Sequence, residues 1–290
     1  MTASAENCIA FLGIGLMGLP MAQRLIAAGY AVRVWNRDCS KTASFGAYAA
    51  QSCADAVAGA DIIVSMLSDG AAVRTVMTNA RPHMKAGALW IDMSSTRQDE
   101  ALEFAAVLEA FVDAPVSGGV AGAQAGTLAI MAGGRAADYA RAEAVLQVLG
   151  RPMLVGQAGS GQIAKLCNQL IVGATIQVVA EALLLAQAAG ADPAAVRAAI
   201  RGGFAESRVL EVHGQRMLER NFEPGGRVKT QVKDLQNVLA AAGAAGLVLP
   251  VAALALQQFE SIVGDVPDAD HSAGLLALER LNAISARRTQ

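Results

Sequence analysis

Along the first half of the chain, short apolar runs alternate with longer stretches in which apolar positions recur every three or four residues. The short runs are Cys8–Gly13, Ala31–Asn36, Asp61–Leu67, Leu89–Met93, Phe111–Asp113, Leu128–Met131 and Met153–Val155. Their length and their β-branched and aromatic content predict strands. Met17–Ala28, Ser52–Ala58, Ala71–Met77, Asp99–Glu109 and Ala136–Leu149 carry helical spacing between them. Alternation of this kind predicts an α/β domain with a doubly wound, mostly parallel sheet covered on both faces. Gly29, Gly87 and Gly150-Arg151-Pro152 punctuate the predicted boundaries.

After about Gly161 the pattern changes to long alanine- and leucine-rich stretches, broken at Gly190–Pro193, Arg201–Gly203, Pro224–Gly226, Leu249-Pro250 and Val266-Pro267. Asp192-Pro193 reads as a helix N-cap followed by proline at the first helical position. The expected organisation is therefore a sheet domain over residues 1–161 and an all-helical domain over 162–290, entered by one long helix over about 162–189.

Composition narrows the classes of function. Hydrophobic residues make up 54% of the 290 and charged residues 17%, ample for a sizeable core. Aromatics are only 4% and the net charge is -2, which argues against a base-stacking or phosphate-tracking surface for nucleic acid and against an anionic membrane partner. Cys8, Cys39, Cys53 and Cys167 show neither a CxxC pair nor zinc spacing, and are expected to be buried reduced thiols of a cytoplasmic protein. The apolar run Cys8–Leu12 is too short for an export signal. The longer stretch Ile171–Ala189 includes Gln177, Glu181 and Gln187, and is expected to be a buried helix of a soluble protein.

The first chemistry lies in Gly13-Ile14-Gly15-Leu16-Met17-Gly18, which follows a predicted strand and opens a predicted helix. In such a turn the first glycine permits the bend and the second lets the backbone approach a pyrophosphate. The third lets helix and strand pack closely, with the phosphates at the helix N-terminus. A Rossmann-type dinucleotide site is predicted. At the end of the second strand stand Asn36 and Arg37, and Arg37 is placed to hold a 2′-phosphate, favouring NADP; Asp38 beside it keeps NAD open. Ligands of doubly wound sheets bind beyond the carboxyl ends of the strands. The segments there are Ser65–Ser68, which contains Leu67, Asp92–Thr96, which contains Ser95, and Asp113–Gly119. Ser117-Gly118-Gly119 offers a hydroxyl and two unobstructed N–H groups, either to cradle a carboxylate or simply as a flexible loop.

Four segments then carry a resemblance. Phe11–Met21, Asp113–Gly134, Gly159–Gln169 and Val232-Lys233-Asp234-Leu235 resemble, in the same order, the cofactor, substrate, catalytic and fourth short signatures of the β-hydroxyacid dehydrogenases, the 3-hydroxyisobutyrate dehydrogenase-like family. In Ala199–Ser207, Asn221–Gly226 and Asp270–Ala273 the chain is similar to the tartronate semialdehyde (2-hydroxy-3-oxopropionate) reductase subgroup.

The resemblance implies reversible hydride transfer between NAD(P)H and a small carboxylated semialdehyde or 3-hydroxyacid, in a homodimer or homotetramer. It implies that Lys165 is the acid in reduction and the base in oxidation. Asn168 or Gln169 would bind the substrate hydroxyl or orient the lysine, and Ser117, Gly118 and Gly119 would bind the carboxylate. Lys233 and Asp234 would close over cofactor and substrate from the helical domain.

Departures from the family pattern are Ser68-Asp69 where a proline is usual, the absence of a proline near Gln98, and Gly226 in place of an aromatic residue, a change expected to enlarge the substrate pocket. His83, His213 and His271 lie far apart and outside the matched motifs; they are expected to be solvated or structural, with no metal site. Oxidation of 3-hydroxyisobutyrate or threonate, reduction of glyoxylate or succinic semialdehyde, imine reduction, and a non-catalytic dinucleotide-binding module are the alternatives.

Overall fold

Inner strands of a parallel sheet are covered on both faces, so they need apolar side chains at consecutive positions. Ile62–Ser65, Leu89–Asp92 and Ala110–Asp113 meet this demand over their first three positions and each ends on a polar residue, and every residue in them is buried. The computed structural model describes residues 7–283, which divide after Lys165 into two compact units.

The first unit runs β1 (Cys8–Leu12), α1 (Gly18–Ala27), β2 (Ala31–Trp35), a 3-10 stretch (Cys39–Tyr48), α2 (Cys53–Val57), β3 (Ile62–Ser65) and α3 (Gly70–Ala80). It continues with β4 (Leu89–Asp92), α4 (Gln98–Val107), β5 (Ala110–Asp113), β6 (Val116–Ser117), α5 (Gly119–Ala125), β7 (Leu128–Gly134), α6 (Ala136–Leu149) and β8 (Gly150–Gly156). Strand order is β2-β1-β3-β4-β5-β7-β6, with β8 on β7. The β2-to-β5 set is parallel throughout. The antiparallel part is confined to β7 against β5 and β6, so the expected mostly parallel, doubly wound sheet is present. β6, α5 and the 3-10 stretch were not foreseen: a two-residue strand leaves no period, and Gly46, at φ 54°, breaks the 3-10 stretch.

The alternation of side chains sorts the core into two layers. Ile9, Phe11, Ile62, Val64, Leu89 and Ile91 face Met21 and Leu25 of α1 and Leu146 of α6. Ala10, Leu12, Ile63, Trp90 and Phe111 face Val57, Val73, Met77 and Phe104 from α2, α3 and α4. Each fully buried large apolar side chain contributes about 1.5–3 kcal/mol. Because β1 has β2 on one side and β3 on the other, the chain reverses its winding direction there, and the loops after β1 and β3 border the crevice in which such sheets bind ligands.

α7 (Ser160–Ala188) begins in the first unit and continues into the second. α8 (Pro193–Ala199), α9 (Arg208–Glu219), α10 (Val228–Ala244), α11 (Pro250–Val263) and α12 (Gly274–Leu281) follow. The described part of the second unit contains no strand, in agreement with the expected helical region. Its core gathers Ile176, Leu183, Leu210, Met217, Leu235, Phe259 and Leu278. Asp192 caps α8 as expected, accepting from Ala194 N at 2.9 Å. α7 is long and apolar enough to cross a membrane, but 44% of its most apolar window is buried within the protein. The helix expected to be buried is so only in part, since Ile171, Val178 and Leu185 are exposed. The cysteines also differ from expectation. All four are free thiols, but only Cys53 is buried; Cys8 is half-buried, and Cys39 and Cys167 are exposed.

Candidate active site

The glycine turn is built as its sequence requires. Gly13, at φ 108°, sits against the Met66 carbonyl with no room for a side chain, and Gly18 is seated on the Gly13 carbonyl and Phe11. Gly15 has open space where a side chain would be, and it and Leu16 are exposed, with Met17 half-buried. No side chain caps the N-terminus of α1, and its first turn holds no acidic residue. This cradle fits a dinucleotide pyrophosphate, with exposed backbone at Gly15 and a positive helix end behind it.

Asn36 accepts from Ile14 N through Oδ1 at 2.9 Å, tying the tip of β2 to the turn. Asp38 is committed elsewhere. Its Oδ1 accepts from Ser40 N at 3.1 Å and Ser40 Oγ at 2.7 Å. These bonds hold its carboxyl below the ordinary range. Arg37 is exposed, and among the described residues no hydrogen bond or ion pair engages its side chain.

Beyond β3 and β4 a buried polar network supports the crevice floor. Trp90 Nε1 donates to Ser65 Oγ at 2.9 Å, and Ser65 Oγ donates to Asp92 Oδ1 at 2.8 Å. Leu67 N donates to Ser94 Oγ at 2.9 Å, which fixes the loop that carries Leu67. Gln162, fully buried, donates through Nε2 to Ser94 O at 2.9 Å and accepts through Oε1 from Thr96 N at 3.0 Å. Ser95 is half-buried between these two clamped neighbours. Asp113 accepts from Gly159 N at 2.7 Å and from Gln162 N at 2.8 Å. It therefore caps the start of α7 from the end of β5. Gly133 and Gly161 allow this approach, because a side chain at either position would strike Asp113. Lys165, buried, follows Gln162 by three positions on the pinned helix.

Burial dominates both acids at the strand ends, against the hydrogen bonds they accept. It pushes the Asp92 carboxyl up to about 7 and that of Asp113 up to about 6. Asp92 Oδ2 has no hydrogen-bond partner. A carboxyl whose pKa is raised by folding adds stability that is complete below its unfolded value near 3.8 and is lost as pH rises through about 7. Asp92→Asn is therefore expected to raise the melting temperature at pH 8, by about 1–3 kcal/mol of stability, and to change it little near pH 4. A lower melting temperature at pH 8 would reject a neutral carboxyl at this position.

Ser117 is half-buried on β6, opposite Ala129 of β7. Gly118 and Gly119 have φ of 136° and 62°, so the paired glycines satisfy a turn that side chains rarely enter. In the second unit, Asn168 Nδ2 donates to Gln169 Oε1 at 2.9 Å, and Gln169 Nε2 donates to Asp234 Oδ2 at 2.6 Å. Lys233 Nζ lies 3.4 Å from Asp234 Oδ1. Asn168 and Gln169 thus form one hydrogen-bonded chain with Asp234. Both follow Lys165 on the same continuous helix.

Sequence reading missed the anchoring roles of Asp113 and Gln162, and it missed Gln231. Gln231, almost fully buried, donates through Nε2 to the Gln169 carbonyl at 3.2 Å. An aspartate 46 residues before the glycine it caps leaves no mark in local spacing. His213 and His271, far apart in sequence, are brought to a 4.5 Å ring separation.

Comparison with known proteins agrees with this architecture. The family profile described as the NAD binding domain of 6-phosphogluconate dehydrogenase matches residues 8–173. That described as NAD-binding of NADP-dependent 3-hydroxyisobutyrate dehydrogenase matches residues 159–278. The chain is 40% identical to the 2-hydroxy-3-oxopropionate reductase of Escherichia coli, over 93% of this chain and 97% of that protein. It is 35% identical to a probable 3-hydroxyisobutyrate dehydrogenase-like protein of Arabidopsis thaliana, over 96% and 87% of the two chains. The solved structure of Mycobacterium tuberculosis 3-hydroxyisobutyrate dehydrogenase with L-serine superposes with a TM-score of 0.86 at 33% identity, covering 94% of this chain and 99% of that one. With this coverage at these identities, the chain belongs to the 3-hydroxyisobutyrate dehydrogenase-like family of NAD(P)-dependent oxidoreductases.

Proposed function

We propose that the chain is a 2-hydroxy-3-oxopropionate reductase that draws its hydride from NADPH, with Lys165 as the proton donor. The observation that carries the chemistry is the pinned start of α7: Asp113 and Gln162 fasten it to the carboxyl ends of β5 and β4, and Lys165 follows one turn later. The similarity to the Escherichia coli reductase supports the substrate.

The nicotinamide cofactor, when bound, supplies or accepts the hydride. Reduction of an aldehyde leaves an alkoxide that needs a proton and a compensating positive charge, and the Lys165 ammonium provides both. In oxidation the neutral amine takes the proton from the alcohol. The Ser117 hydroxyl and the N–H groups of Gly118 and Gly119 hold the substrate carboxylate, which selects against uncharged carbonyls. Leu67 and Ser95 line the nicotinamide side. Asn168 and Gln169 follow Lys165 on α7, and Gln169, held by Asp234 beside Lys233, orients the reacting hydroxyl.

Steady-state assays with both cofactors against 2-hydroxy-3-oxopropionate, 3-hydroxyisobutyrate, threonate, glyoxylate and succinic semialdehyde test the reading. Failure to turn over any of these acids would sink it. Preference for 3-hydroxyisobutyrate is the second reading, favoured by relatives of that name at 35% identity.

For the cofactor, the unengaged Arg37 side chain and the committed Asp38 carboxylate favour NADP. Arg37→Ala is expected to weaken NADP binding about tenfold or more, the cost of a charge-assisted hydrogen bond, and to leave NAD binding within about twofold. Equal losses for both would reject a 2′-phosphate clamp.

The proposal includes a cytoplasmic homodimer or homotetramer. In its support, Ile171, Val178 and Leu185 recur every seven residues on α7 and stay exposed, an apolar stripe suited to a second copy of the helix. A monomer in sedimentation would remove this element.

A further inference from the structure

Gly226 and His271 share one place in the second unit. A Cβ at position 226 would lie 2.9 Å from His271 Cε1 and 3.1 Å from its Nε2. The side chain missing at 226 therefore opens no space at this point, and the expected enlargement is corrected: an imidazole from a distant segment fills it. The two segments are stitched together by backbone bonds, from His271 N to Gly226 O at 2.6 Å and from Val228 N to Ala269 O at 2.9 Å.

Asp270 anchors this imidazole. Its Oδ2 accepts from Gly225 N and Gly226 N, each at 3.0 Å, and its Oδ1 accepts from Ser272 N at 3.0 Å. Arg216 stands 3.5 Å from Oδ2 and His213 Nδ1 3.4 Å from Oδ1. Burial opposes the charge, but these bonds and the His271 charge hold the Asp270 carboxyl well below its ordinary range. His213, Asp270 and His271 place possible metal-ligand atoms within 4.8 Å of one another. Asp270, however, is already occupied by three N–H groups and faced by a guanidinium, as befits an anchor rather than a cation ligand.

His271 reaches further through Nδ1, which lies 3.2 Å from Gln231 Oε1. That oxygen only accepts, so Nδ1 carries the proton. The Gln231 amide then donates to the main-chain carbonyl of Gln169, on α7, at 3.2 Å. Gly173 makes this possible, because a Cβ there would come within 2.5 Å of Gln231 Nε2. Two glycines thus clear the path of one relay, Gly226 for the imidazole and Gly173 for the amide.

We propose that His271 is a positioning residue: seated on Gly226 and anchored by Asp270, it sets through Gln231 the placement of the α7 main chain at Gln169, and with it the bond from the Gln169 side chain to Asp234. The proposal rests on the reading that Gln169 and Asp234 serve the Lys165 site. His271→Phe keeps a ring against Gly226 and removes the Nδ1 donor, and Gln231→Leu removes the middle of the relay. Each is expected to lower kcat/KM about tenfold and to lower the melting temperature by a few degrees, since a buried polar partner is lost, and the double variant to lose no more kcat/KM than either single one. Additive losses, or unchanged kcat/KM in both variants, would overturn the relay. If the wild-type protein turns over none of the carboxylated substrates, the functional reading fails by itself. The relay is then judged by amide NMR: His271→Phe must shift the side-chain amide signals of both Gln231 and Gln169, and an unmoved Gln169 overturns it.

Discussion

Lys165→Ala is expected to lower kcat about 1,000-fold, within the range usual for loss of a general acid combined with loss of charge stabilisation, while the NADPH dissociation constant changes less than about threefold. The reason lies in what the position supplies. Hydride delivery to an aldehyde creates an alkoxide, and a water molecule in the vacated space would offer a proton without the fixed positive charge. Lys165→Arg keeps the charge but not a readily released proton, so it should recover only a small part of the rate. Single-turnover kinetics paired with cofactor fluorescence titration measure the two effects separately. Wild-type turnover in Lys165→Ala would remove the lysine from the chemistry. A parallel collapse of cofactor affinity would mean that it acts on binding instead.

The second large effect is expected at Asp113, a residue that need not touch the substrate. Asp113→Ala leaves the Gly159 and Gln162 N–H groups without their acceptor at the start of α7. A buried unsatisfied donor costs about 1–3 kcal/mol, so a loss of about 3 kcal/mol is expected. For a chain of 290 residues that corresponds to a fall in melting temperature of about 5 °C. The rate should fall as well, because Lys165 rides on the helix that has lost its anchor, and displacement of a reacting group by about 1 Å can cost 100-fold. Asp113→Asn retains one acceptor oxygen and turns the other into a donor facing a donor. It should fall between alanine and wild type in both measurements. Wild-type melting temperature and kcat in Asp113→Ala would show that α7 is held by other contacts.

Period and spacing carried much of this in the sequence. The strands from Cys8 to Asp113 were legible because buried parallel strands need consecutive apolar residues and the helices between them need a 3.6-residue repeat. The glycines at 13, 15 and 18 were legible because their tasks are local: a bend, an open backbone and a close packing within six residues. The same holds for Asp192-Pro193, whose cap bond spans two positions. Ser117 was legible from the two glycines after it at a strand end, whereas Lys165 and Asp234 were singled out by family signatures, since a lysine in isolation has no spacing that distinguishes it from a solvated one.

The tertiary structure alone decided which residues hold those groups in place. Asp113 meets Gly159 and Gln162 at separations of 46 and 49 residues, and Gln162 meets Thr96 at a separation of 66. Gly226 read alone meant a larger pocket; beside His271 it means a filled one. Asn168 and Gln169 read as alternatives on one helix face, yet the carboxylate of Asp234, 65 residues on from Gln169, joins them in a single chain. Local period follows from backbone geometry and can be read along the chain. A hydrogen bond between distant residues depends on where the sheet order brings strand ends and helix starts together, and no interval in the sequence encodes that distance.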